Sequence, residues 1–249
     1  MNGGDAVEVP AFLAPRFEPI ENIRAHEHVA EQLRRQIRLH LIPVGSALPP
    51  ERELAAMFGV GRATVAAAIQ LLEADELVVT KRGRNGGTFA SERTPDSLSY
   101  EYLEVRVRRE RDRIQQAMTF RGFVEPISAR EAARNRTDKE VAHIERACDH
   151  IVPGDSPISF LAGDSILHLL IAHASHNMFL VETVEQIRVL LNEAFAVLGT
   201  DGSLWRDTRD EHKEIVRAVK DRDEDQAEAA MAKHLALTQE RIVELLRDV

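Results

Sequence analysis

Asp164 and His168 stand four residues apart in the run Asp164-Ser165-Ile166-Leu167-His168, a spacing that puts both side chains on one face of a helix. Two more histidines, His212 and His234, fall on later helical patterns. Three imidazoles and one carboxylate are a donor set for a divalent transition metal such as zinc, nickel or manganese. An open coordination position would let a small carboxylate bind the ion directly. The chain has 10 histidines, and a lone helical histidine is more often a surface or satisfied core group. His173 and His176 are assigned to that class. A second concentration of chemistry is cationic. Lys81, Arg82 and Arg84 flank a glycine-rich tip, and Arg52, Arg62 and Thr64 precede them on short helical patterns. Such cations and hydroxyls suit phosphates and base edges.

The elements that must position these groups divide the chain in two. Residues 1–22 hold Gly3, Gly4, Pro10, Pro15 and Pro19 without periodicity and predict a flexible arm. From His26 the apolar residues Val29, Leu33, Ile37 and Leu41 recur every four positions, a helical stripe that Pro43 and Gly45 end. Pro49 and Pro50 open a short helix, Glu51 to Phe58. Gly59-Val60-Gly61 is a tight turn, and a third helix follows from Arg62 to about Ala74. Two β-type runs, Leu77 to Thr80 and Thr88 to Ala90, enclose Arg82-Gly83-Arg84-Asn85-Gly86-Gly87 as a hairpin tip. Helix, short helix, glycine turn, helix and hairpin describe a winged helix-turn-helix over 23–91. Its third helix would lie in a major groove, offering Arg62 and Thr64 from its first turn. Arg52 would reach the backbone or a base, and the wing arginines suit a narrow minor groove.

A connector over 92–99 leads into 100–249, where helical patterns run roughly 98–119, 120–135, 138–150, 157–174, 178–199, 204–220 and 223–247. The expected fold class is mainly α: an α+β winged helix-turn-helix followed by an all-α helical bundle that binds ligand. Net charge is −9 overall. Residues 1–93 carry 11 Lys+Arg against 12 Asp+Glu, and the remainder 21 against 29, so DNA contact is expected from the first part alone. Hydrophobic residues make up 44% and charged residues 29%, which excludes a disordered or fibrous chain. With no apolar run long enough to span a bilayer, no basic and apolar leader and one cysteine, Cys148, the expectation is a cytoplasmic protein without a membrane partner.

The run LPPERELAAMFGVGRATVAAAIQLLEADELV, followed by KRGRNGGTFA, resembles the GntR family of bacterial transcription regulators. Leu48, Pro49, Glu51, Arg52, Leu54, Ala55, Val60, Arg62, Thr64, Val65, Leu72 and Gly87 match its pattern over residues 26–90. The resemblance implies DNA contacts at Arg52, Arg62, Thr64 and the wing glycine, Gly87. It departs at Ala66, often an arginine in the family, and at Gly61, usually a serine. The segment DSILHLLIAHASHNMFL and the later EH and HL contexts resemble the FCD effector domain of the FadR-like branch, over about 98–246. Carried over, the metal ligands are Asp164, His168, His212 and His234. Arg121 and Glu125 fall where the family has an arginine-x-x-x-glutamate helix whose arginine often points into the effector pocket, and a guanidinium pairs well with a carboxylate. The alternative for that pair is a surface i, i+4 ion pair.

The resemblance therefore implies a regulator, expected to be a repressor, that binds a pseudo-palindromic double-stranded DNA operator as a homodimer. A small organic or sugar acid bound near the metal would modulate it. Two other readings stand beside this one: a metal-sensing regulator, and a metal-dependent enzyme acting on a small acid. The enzyme lacks an obvious general base or nucleophile motif.

Overall fold

The computed structural model describes residues 24–83, 86–91, 105, 107–151, 157–198 and 208–248. The expected arm over 1–22, the connector over 92–99 and Arg84 lie outside the described residues. α1 spans Ala25–Arg38 and buries Val29, Ala30 and Leu33, as the four-residue stripe predicts. The stripe does not extend to Leu41. Leu39 caps the helix and His40 turns back at φ +57°, so Leu39 is fully buried and Leu41 stands 40% exposed. α2 (Glu51–Phe58) starts after Pro50 and ends at Gly59, whose φ of +65° is a left-handed C-cap that glycine adopts without Cβ cost. α3 (Arg62–Ala74) then leaves at 109° to α2. Val65, Ala68, Ile69 and Leu72 of α3 close a core with Val29, Leu33, Leu54 and Val78.

Strands β1 (Val78–Lys81) and β2 (Gly87–Ala90) pair antiparallel, Val78 opposite Ala90 and Lys81 opposite Gly87. A bridge from Ala47 to Phe89 adds a third chain segment to this wing. At the tip, a Cβ on Gly86 would meet the Lys81 carbonyl at 2.5 Å, so the hairpin closes only over glycine.

The remaining described elements are helices. α4 (Arg111–Asn135), α5 (Asp138–His150), α6 (Pro157–Ala174), α7 (Met178–Leu198), α8 (Thr208–Asp221) and α9 (Glu224–Asp248) share one large core, among it Met118, Ile144, Leu161, Leu167, Leu191, Phe195, Ile215, Val219 and Met231. The helix break expected between 119 and 120 is absent. α4 is continuous and even contains Pro126, because no capping signal interrupts it and packing against neighbouring helices overrides a local cost of about 3 kcal/mol. α5 begins with a capping box, in which Thr137 Oγ1 accepts from the Glu140 N–H and Glu140 accepts from the Thr137 N–H.

A small third cluster joins the two parts. Leu39 packs with Leu169 and Ala172 of α6 and Val184 of α7, and Asn192 Nδ2 of α7 donates to the Arg38 carbonyl at 3.0 Å.

Candidate functional site

α6 presents Asp164 and His168 one turn apart, α8 presents His212, and α9 presents His234. Their four ligand atoms lie within 4.8 Å of one another, and all four residues are buried. Asp164 Oδ1 is 3.1 Å from His212 Nε2 and 3.6 Å from His168 Nε2. The imidazole rings stand 4.6 to 5.8 Å apart, centroid to centroid. His168 Nε2, His234 Nε2 and both ring nitrogens of His212 have no hydrogen-bond partner among the described residues. Buried polar atoms without partners cost roughly 1–3 kcal/mol each. A divalent cation among them would take one nitrogen lone pair from each ring together with an Asp164 oxygen, so the donor set fits such an ion.

Carboxylates stand behind two of the rings. His168 Nδ1 donates to Glu125 Oε2, and His234 Nδ1 donates to Glu211 Oε2 at 2.8 Å. Both bonds fix the tautomer that turns Nε2 toward the cluster, the arrangement by which second-layer carboxylates orient metal-binding imidazoles. Burial pushes the His212 pKa down, with Asp164 opposing in part, and pushes that of His234 well down, helped by the other two imidazoles. Rings kept neutral are rings able to ligate.

Two buried guanidiniums complete the site. Arg121 Nε donates to Glu125 Oε1 at 2.7 Å, and Arg188 Nη1 of α7 donates to Asp164 Oδ2. Arg188 Nε lies 3.8 Å from Glu125 Oε1. Burial alone would raise both carboxyl pKa values. Arg188 and His168 overcome it at Asp164, as do Arg121, His168 and Arg188 at Glu125, and both stay well below the carboxylate range. Arg121 Nη1 and Arg188 Nε and Nη2 have no hydrogen-bond partner among the described residues. The Arg121–Glu125 pair forms as its spacing predicts, yet each residue is 1% exposed, which overturns the surface ion pair. Phe120 and Phe123 of the same helix face outward, 50% and 68% exposed.

In the N-terminal part, Arg52, Arg62, Lys81, Arg82 and Gly87 are exposed and Thr64 is half-buried at the first turn of α3. Lys81 Nζ lies over the Phe89 ring, 5.0 Å from its centroid. A Cβ on Gly87 would meet that ring at an ordinary 3.6 Å, so nothing among the described residues requires glycine there.

The signature described as "Bacterial regulatory proteins, gntR family" matches residues 25–89, and the signature described as "FCD domain" matches residues 116–237. The chain belongs to the GntR family. Among relatives of this GntR protein, the Uxu operon transcriptional regulator of Escherichia coli (strain K12) is 29% identical over 229 residues, 89% of this chain and 88% of its own. The galactonate operon transcriptional repressor of the same organism is 29% identical over 207 residues, 81% and 89% of the two chains. The transcriptional repressor NanR of Klebsiella aerogenes is 28% identical over 232 residues, covering 88% and 86%. The structure of E. coli McbR/YncC shares the fold with a TM-score of 0.51 at 17% identity, over 91% of this chain and 99% of that one. The GntR family and these relatives are transcriptional regulators, which removes the enzyme reading.

Sequence reasoning on this GntR chain reached the four clustered residues and Arg121 but not Glu211, Arg188, Ser165 or Asn192. For Arg188 and Asn192 the signal was present. They sit on the buried stripe of α7 with Val184, Ile187, Leu191 and Phe195, a cation and an amide where the period demands apolar groups.

Proposed function

We propose that this GntR-family regulator binds a pseudo-palindromic operator as a homodimer, represses transcription, and responds to a small organic or sugar acid bound beside a divalent transition metal. The observation that carries the reading is the buried cluster of Asp164, His168, His212 and His234 in the same chain as a winged helix-turn-helix. Arg52, Arg62, Thr64, Lys81, Arg82, Arg84 and Gly87 are the proposed DNA contacts. Arg62 and Thr64 sit at the α3 N-terminus, where unpaired backbone N–H groups also favour phosphate. Two such heads on a two-fold axis suit two half-sites.

Buried charge favours an acid as the effector. Asp164 and Glu125 are balanced by Arg188 and Arg121. A divalent cation would leave excess positive charge in a dry site, which a carboxylate offsets. The cation would supply a Lewis-acidic position for a carboxylate oxygen. Arg121 and Arg188 would supply the N–H donors that orient the acid. The name of the galactonate operon repressor makes galactonate a sensible first probe.

The test is sequencing of genomic fragments retained by the purified protein, with and without chelator and with galactonate added. A short enriched palindrome lost in Arg62→Ala, whose metal content is unchanged, is the expected result. No enrichment in any sample would overturn the regulator reading. Enrichment that depends on metal alone and ignores every acid tried would transfer the role of signal to the ion.

A further inference from the structure

Helix α7 touches both halves of the molecule through one run of residues. Arg188 grips Asp164 of the buried cluster. One turn later, Asn192 is bonded on two sides: its Oδ1 accepts from Ser165 Oγ at 3.0 Å, and its Nδ2 donates to the Arg38 carbonyl at 3.0 Å. Ser165 is the chain neighbour of Asp164, and Arg38 is the last residue of α1. One turn earlier, Glu185 Oε2 lies 3.8 Å from Arg35 Nη1, also on α1. Leu39, with no exposed surface, fills the space between α6 and α7 beside Val184. Ser165 and Asn192 are both buried, so neither bond is easily exchanged for water.

Given that the buried cluster is the ligand site, as proposed above, we propose that α7 is the element through which that site sets the seating of the DNA-reading module. Arg188 senses the ligand, and Asn192, with Ser165, latches the end of α1. An acid in the site offers Arg188 an acceptor that competes with Asp164. A change in that grip moves α7 relative to α6, and the Asn192 bridge spans those two helices. Because α1 packs directly on α3, any reseating of α1 reorients the reading helix. The structure so provides a packed element that touches both the buried cluster and α1, the helix on which α3 rests, which coupling requires.

Hydrogen exchange on the full-length protein tests this without knowing the ligand. The backbone N–H groups of Leu39 to Ile42 are bonded to carbonyls of α1 and report its docked end. Asn192→Leu should speed their exchange roughly two- to tenfold, the loss expected for buried hydrogen bonds of ordinary strength. Exchange within α5 should stay unchanged. Arg188→Gln should produce the same local increase, although Arg188 is bonded to Asp164 and faces Glu125 rather than α1 residues of the latch. Ser165→Ala, a milder change beside the site, should do so too, and it decides the matter if Arg188→Gln fails to fold by circular dichroism. Faster exchange in Asn192→Leu alone would mean a docked but uncoupled module and would overturn the proposal, as would no change in any variant. Zinc binding by the wild-type protein, measured in parallel, separates the two readings. Its absence would sink the ligand site while leaving the exchange result to judge the latch.

Discussion

Glu125 meets three groups of the buried site, Arg121, His168 and Arg188. Glu125→Gln keeps the shape and removes the charge that orders His168. Metal affinity, read by competition with a fluorescent chelator, should fall about ten- to a hundredfold, the usual cost of a lost outer-layer partner. Glu211→Gln should act in the same direction through His234. Proton linkage follows from the same groups. Asp164 and Glu125 are held below the carboxylate range, and His212 and His234 below the ordinary 6.5. In every case the unfolded chain takes the proton more readily, so stability rises with pH. The histidine cost is absent above the unfolded value and grows as pH falls below it; the carboxylate contribution is lost at still lower pH. The melting temperature of chelator-treated protein should therefore fall steadily on acidification, and His234→Gln should flatten the upper part of that curve. A rise on acidification would contradict the burial of neutral imidazoles.

Helices were legible where an apolar stripe met a clear stop, as in α2 between Pro50 and Gly59 or α5 after Thr137. Thr137→Ala removes the side-chain acceptor of the α5 capping box and should lower stability by about 1 kcal/mol, seen as a shift in the urea midpoint at unchanged slope. The reversal at His40 was not legible, because a left-handed histidine carries no sequence signal comparable to glycine. The clustering of the four candidate residues was legible, through the i, i+4 pair on α6 and the family resemblance. Its supporting layer was not. Glu211 and Arg188 reach their partners across helices, and contacts of that range depend on packing that no local period encodes.

At the scale of the whole molecule the described residues form two main cores, one under α3 and the wing and one among α4 to α9, joined by the Leu39 cluster. Leu72→Ala opens a cavity in the first core alone. Calorimetry should show an N-terminal transition weakened by roughly 2–5 kcal/mol and a C-terminal transition left in place. A single transition shifted as a whole would mean that the Leu39 junction fuses both cores into one cooperative unit. No single helix among the described residues is long and apolar enough to cross a membrane. The division into a reading part and a larger helical part agrees with the two matched signatures, residues 25–89 and 116–237.

The four clustered residues and the two guanidiniums beside them are each at most 4% exposed. An ion or acid can reach them only while the helices part, and such openings take microseconds to seconds rather than the time of a diffusive encounter. Arrival and departure are then both gated by the same opening. For the proposed effector, a pulse shorter than the interval between openings would pass unregistered, whereas a sustained rise would be recorded and held. On the proposed function, the packing that buries the imidazoles would double as a temporal filter, tuned by the stability of the bundle rather than by affinity.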